Sequence, residues 1–217
     1  MVFKMKLIIT VFLLSILTVT NTSCSNRQSE ASADKNNPPQ VLAETKATTT
    51  TETATGPTFS IHQIASVAPS NDPGKYRDFL WVVNGEKKLF SELIKNKVVF
   101  LNFWATWCGP CRHEIPSIID ISKELDPSEF VVVGIPLERD RYQSPDAAME
   151  RVKSFAFSQG MNYINFNPAQ ELEIAYGQIS GIPTTFIIGK DGSVKEKIVG
   201  ARSKEDFMTS IKRAMGK

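Results

Sequence analysis

Cysteine is scarce in this 217-residue chain: there are 3. That excludes a disulfide-stapled scaffold, which concentrates paired cysteines in a short chain. Histidine is scarcer, at 2, namely His62 and His113. A closed zinc site takes about four nitrogen or sulfur ligands, and the chain has no second close cysteine pair to help supply them. The net charge is only +2, with acidic and basic residues interspersed, so nothing argues for nucleic acid as a partner. The uncharged run from Leu7 to Val19 is too short to span a bilayer comfortably. Hydrophobic residues make up 41% of the chain, enough for one ordinary domain with appendages.

The most informative stretch runs from Val98 to Pro116, VVFLNFWATWCGPCRHEIP. An apolar, β-branched run reads as a buried strand; it enters a tight turn that opens a helix with a cysteine in its first turn. Cys108 and Cys111, three apart at a helix start, come within disulfide reach, and Gly109-Pro110 sets the turn between them. A thiolate at a helix N-terminus is stabilised by free backbone N–H groups and the positive end of the helix dipole. Lowering a thiol pKa from about 8.5 to about 7 raises the thiolate fraction at pH 7 from about 3% to about half. Cys108, the more exposed of the two, reads as the attacking thiol, and Cys111, one turn in, as the resolving one.

The octet Trp104-Ala105-Thr106-Trp107-Cys108-Gly109-Pro110-Cys111 resembles the active site of the thioredoxin superfamily. With Glu114-Ile115-Pro116 following, it is similar to the membrane-anchored TlpA/ResA-like branch. The resemblance runs from about Phe79 to the C-terminus. It implies an α/β thioredoxin-like fold: a central mixed sheet flanked by helices, here with an N-terminal hairpin extension. It also implies that Pro183, in Ile182-Pro183-Thr184, is cis and faces the cysteine pair. A proline there has no N–H, which leaves the backbone of Ile182 free to pair with an extended substrate.

Glu114 lies one helical turn past Cys111. Composition alone makes it a solvated carboxylate. Its apolar neighbours Phe103, Trp104 and Ile115 point to burial. Asn102 stands where thioredoxins proper carry a buried Asp, and the ResA-like branch is similar to this chain in having a Glu at position 114. Glu114 is therefore expected to be partly buried, with a raised pKa, passing protons to and from the cysteines. Trp107 is expected at the surface beside Cys108, touching substrate. Trp104 reads equally as core or site. His113 reads as solvated, and with Arg112 it adds positive charge near the thiol. Glu138 follows the Phe130–Ile135 strand and reads as a solvated loop carboxylate that at most faces the site.

The remaining chain divides simply. Residues 1–23 read as a lipoprotein-type signal peptide, with Lys4 and Lys6 ahead of the apolar run and Cys24 where lipidation would occur. Asn21 stands where such signals prefer Leu, so ordinary cleavage nearby and an uncleaved anchor stay open. Residues 24–58 are Ser-, Thr-, Asn- and Pro-rich and read as a disordered tether, with an r.m.s. span of about 30–35 Å. Residues 59–217 form the thioredoxin-like domain. Phe59–Ile61 and Ile64–Ala68 read as edge strands or as a segment lying on that domain. Phe79–Val83 and Lys87–Phe90 form a hairpin around Asn84-Gly85, and Ser91 caps a short helix. Ser144-Pro145 and Asn167-Pro168 start helices, Asp191-Gly192 turns a second hairpin, and Ser203 with Asp206 resembles a capping box.

The function expected is that of an exported, membrane-tethered thiol–disulfide oxidoreductase, a reductase of disulfides in exported proteins, without a cofactor or bound metal. Protein disulfides are its substrates, apocytochrome c among them by resemblance, and a membrane thiol–disulfide reductase is its electron donor. The alternatives are a copper chaperone using the two thiolates, since copper(I) prefers soft sulfur, and a disulfide oxidase.

Overall fold

Every residue of Val98–Trp104 (β4) is buried, so this strand has helices or loops on both faces and strands on both sides. In the computed structural model the described residues are 58–217, except 70, 71, 73, 139–143, 168, 169 and 178. The expected signal peptide, Cys24, all but the last residue of the tether, and Pro168 lie outside the described residues.

β4 pairs in parallel with β5 (Phe130–Pro136) and antiparallel with β7 (Thr184–Ile188). β5 pairs in parallel with β6 (Ile164–Asn167), and β6 in parallel with β1 (Ser60–Val67). Two hairpins complete the eight-stranded mixed sheet: β2 (Phe79–Val83) with β3 (Glu86–Leu89) on one flank, and β7 with β8 (Val194–Val199) on the other. The order is β3-β2-β1-β6-β5-β4-β7-β8. Because strand side chains alternate faces, β4 feeds two cores. Val98, Phe100 and Trp104 pack with α2 (Gly109–Glu124), α3 (Pro145–Gln159) and α5 (Lys204–Met215), through Ile115, Ile118, Val152, Phe207 and Ile211. Val99, Leu101 and Phe103 pack with α1 (Phe90–Ile94) and α4 (Gln170–Ala175), through Phe90 and Leu172, and with Phe79 and Phe166.

The fold is the expected thioredoxin-like one, and most turn chemistry acts where the sequence puts it. Asn84 and Gly85 both take positive φ, 52° and 81°, which turns the first hairpin. The Ser144 hydroxyl accepts from the Ala147 N–H, Pro145 opens α3, and Gly160 closes it at φ 64°. The Ser203 hydroxyl accepts from the Asp206 N–H at 3.2 Å.

Two local expectations are corrected. Ser91 does not cap α1, which begins at Phe90; Asp78 Oδ1 instead accepts from the Phe79 and Ser91 N–H groups. Residues 60–67 are neither an edge nor a surface segment. They form one interior strand, irregular between Ile64 and Ser66, that joins the hairpin to the rest of the sheet. The helix α2 runs unbroken through Pro116.

Candidate active site

The turn after β4 delivers Cys108 as the N-cap of α2, with extended backbone (φ −82°, ψ 107°) and Pro110 in the first turn. A cap residue turns its side chain back toward the unpaired amides of the first turn. Here the acceptor is sulfur: Cys111 N–H donates to Cys108 Sγ at 3.2 Å. Cys108 and Cys111 are bonded to each other, with their Cα atoms 5.3 Å apart. Cys108 is 4% exposed and Cys111 fully buried, so the pair is more enclosed than a surface thiol, and Cys108 remains the accessible member. Trp107, beside it, is 59% exposed. His113 and Arg112 are exposed on the same first turns of α2, and the Arg112 guanidinium lies over the Phe155 ring at 5.8 Å.

The second wall is the loop entering β7. The Ile182–Pro183 bond is cis, and the Ile182 carbonyl oxygen lies 3.7 Å from Cys108 Sγ. The Thr184 hydroxyl donates to the Gly181 carbonyl at 2.7 Å, and Gly200 N–H donates to the Pro183 carbonyl at 2.8 Å, fixing the loop from both sides.

Beneath α2 the sheet carries a buried polar row. Asn102 on β4 is in register with Gly134 on β5 and with Thr185 on β7, and Gly134 is in register with Asn165 on β6. Asn102 Nδ2 donates to Glu114 Oε1 at 2.9 Å and to Thr185 Oγ1 at 3.0 Å. Asn165 Oδ1 accepts from Trp104 Nε1–H at 3.1 Å, and its amide nitrogen donates to the Tyr163 carbonyl. Gly134 is the one position in the row without a side chain. A Cβ there would meet Asn165 Oδ1 at 2.0 Å and Trp104 Nε1 at 3.0 Å.

Glu114 hangs from α2 over this row and is 2% exposed. Burial pushes its carboxyl up to about 7; the Asn102 hydrogen bond and the nearby backbone and charge of Arg202 oppose that without cancelling it. Its Oε2 finds no hydrogen-bond partner among the described residues. The Tyr163 hydroxyl is also buried without a partner among the described residues, and burial together with the Glu114 charge raises its pKa. Glu114 is thus a carboxylic acid that changes charge near neutral pH, one turn from Cys111.

Glu138 departs from its sequence reading. Its side chain is 5% exposed, and its Oε1 accepts from the Thr106 N–H in the loop leading to Cys108. Arg151 of α3 stands 4.0 Å from its other oxygen. Glu138 therefore holds the loop rather than being solvated beside it. Trp104 is core, fully buried against Phe155 with its N–H on Asn165. Thr185, Asn165 and Arg202 were not singled out from the sequence. Asn102 was the only visible sign of the row, as one amide inside an apolar run.

The Redoxin family model matches residues 57–212. The thiol-disulfide oxidoreductase ResA of Bacillus thuringiensis (strain Al Hakam) is 31% identical over 128 residues, which is 58% of this chain and 69% of ResA. The thioredoxin-like protein YneN of Bacillus subtilis (strain 168) is 30% identical over 59% of this chain and 71% of its own length. A crystal structure of a thioredoxin-family thiol:disulfide interchange protein from Chlorobium tepidum TLS is 34% identical. It superposes with a TM-score of 0.57 and covers 68% of this chain and all of that one.

Proposed function

This chain belongs to the Redoxin family and is a thiol–disulfide oxidoreductase of ResA type, and from that premise we propose that it is an exported, membrane-tethered reductase of protein disulfides. The observation that carries the direct part of this reading is the position of Cys108 Sγ. It caps α2, takes the Cys111 N–H and lies 3.7 Å from the Ile182 carbonyl. A partner's disulfide presented along the Ile182–Pro183 loop, with Trp107 beside it, would arrive in front of that sulfur.

In the reduced protein, the Cys108 thiolate attacks one sulfur of the partner's disulfide. The partner's S–S bond breaks, its other sulfur leaves as a thiolate and takes up a proton, and a mixed disulfide forms. Cys111 then loses its proton and attacks Cys108 Sγ. This releases the partner as a dithiol and leaves the Cys108–Cys111 bond seen here. Glu114, neutral below about pH 7 and ionised above it, is the group assigned to accept and return the Cys111 proton. A membrane thiol–disulfide reductase supplies the two electrons for the next cycle. Apocytochrome c, whose CxxCH thiols have to be reduced before haem attaches, is the substrate class that the ResA likeness implies. The charged start, apolar run and Cys24 support export and a lipid anchor. Among the described residues no helix is long and apolar enough to cross a membrane.

The direction of electron flow is tested by equilibrating the pair in a glutathione or dithiothreitol series. A potential near the −270 mV or so of reducing thioredoxins is expected. A value near the −120 mV or so of a strong periplasmic oxidant would reverse the direction. The intact mass of the mature protein, with or without an acylated Cys24 at its N-terminus, tests the anchor.

A further inference from the structure

We propose that Thr185 is a positioning residue for the Glu114 acid. By engaging one hydrogen of the Asn102 amide, it holds the other on Glu114, and so links the acid of α2 to the strand that follows the proline loop. This rests on the reading of Glu114 as the proton-transfer group.

The argument starts from register. Asn102 and Thr185 are directly opposite in the antiparallel β4–β7 pair, so both side chains face α2. Both are buried. The Asn102 amide nitrogen has two hydrogens and the structure uses both, one on Glu114 Oε1 and one on Thr185 Oγ1. Its carbonyl oxygen, Oδ1, has no partner among the described residues. Turned over, the amide would set that oxygen against the ionised Glu114 carboxylate, two acceptors face to face. The hydroxyl of Thr185 thus gives the amide a second fixed point in a place where its own carbonyl has none. With Oε1 taken by the Asn102 N–H, Oε2 is the carboxyl oxygen with no hydrogen-bond partner among the described residues.

The other groups that bear on Glu114 are distinct from this link. Arg202, after β8, lowers its pKa through backbone and charge, Tyr163, ahead of β6, feels the Glu114 charge, and Cys108 and Cys111 lie on its own helix. None of them touches the Asn102 amide in the way Thr185 does. Thr185 is two residues beyond Pro183, so the same strand that presents Ile182 to a substrate also carries the hydroxyl.

The test measures the titration of Glu114 directly, from its side-chain carboxyl carbon resonance in the oxidised protein, alongside the pH dependence of disulfide exchange. Thr185→Val keeps the β-branched shape but removes the hydroxyl, and Thr185→Ala also removes the hydroxyl should the Val variant not fold. Either is expected to move the Glu114 midpoint upward by about half a pH unit to one unit, because a hydrogen bond to the ionised form is loosened. Thr185→Ser is expected to return it to the parent value, which a merely structural role of the methyl group would not do. Midpoints that coincide in parent, Val and Ala variants would overturn the proposal. Glu114→Gln is the separate arm. An exchange profile unchanged by that substitution removes Glu114 from proton transfer, while the resonance titration still decides whether Thr185 positions it.

Discussion

The sharpest consequence of a buried, unionised Glu114 concerns stability rather than rate. In the unfolded chain a glutamate titrates near its ordinary value of 4.5, whereas here the folded value is about 7. Between those two pH values the native protein holds a proton that the unfolded chain has lost. Stability therefore falls as pH rises through that window and levels off above it; below about 4.5 both states are protonated and the carboxyl contributes nothing. At about 1.4 kcal/mol per pH unit, the displacement amounts to roughly 3 kcal/mol of destabilisation at pH 8 relative to pH 4.5. Glu114→Gln removes it. The substitution also places an amide where Oε2 has no partner, but that cost does not vary with pH. Other titrating carboxylates, such as Asp126, Glu129 and Asp191, are common to both proteins and cancel.

The assay is urea unfolding of the oxidised parent and variant at half-unit intervals from pH 4.5 to 8. The quantity to plot is the difference in unfolding free energy between them. It should swing in favour of the glutamine variant by about 3 kcal/mol across the window, with its midpoint between 4.5 and 7. A flat difference would mean that Glu114 ionises as easily folded as unfolded. The account of it as a proton store for the cysteines would then fail with it.

Substitutions at two further positions test the supports of the site. Glu138→Ala strips the Thr106 N–H of its acceptor and removes the carboxylate 4.0 Å from Arg151, so it should cost about 1–3 kcal/mol in urea and slow insulin reduction several-fold. Glu138→Gln, which keeps an acceptor oxygen, should recover most of the rate, and an Ala variant as active as the parent would free the loop from this residue. Gly134→Ala should cost about 2–4 kcal/mol, because its methyl group meets Asn165 Oδ1 and breaks the buried bond to the Trp104 N–H. Unchanged stability would show that Asn165 has room to move.

How far these features could be read from the sequence depends on how local their causes are. The strand, turn and helix around Cys108 and Cys111 are specified by residues a few positions apart, and the capping and turn residues Asn84-Gly85, Ser144-Pro145 and Ser203 likewise act on their own neighbours. All of these were legible. The segment Ser60–Val67 was not, because its interior place in the sheet comes from pairing with β2 and β6 while its own sequence, SIHQIASV, alternates weakly. Ser91 misled for the opposite reason. It is a good cap by residue type, but Asp78, 13 residues earlier, already accepts from its N–H.

The site divides along the same line, and Asn102 shows how more of it could be read. An amide inside an otherwise apolar strand that is buried on both faces has to find its partners in the strands beside it and the helix above it. That requirement is visible in FLNFW alone. What the sequence does not carry is the register that chooses the partners. Thr185 stands 83 residues away and Glu114 only 12, and an ordinary strand threonine after a proline gives no local sign of its role. The same reasoning explains Glu138. Its charge suggests solvent, yet a carboxylate just past a central strand lies at the pole where the helix-opening loop leaves its amides unpaired, and Thr106 supplies one. At this end of the sheet, polar residues are held by unsatisfied backbone and amide groups. Their charge is therefore a poorer guide to exposure than the strand end on which they sit.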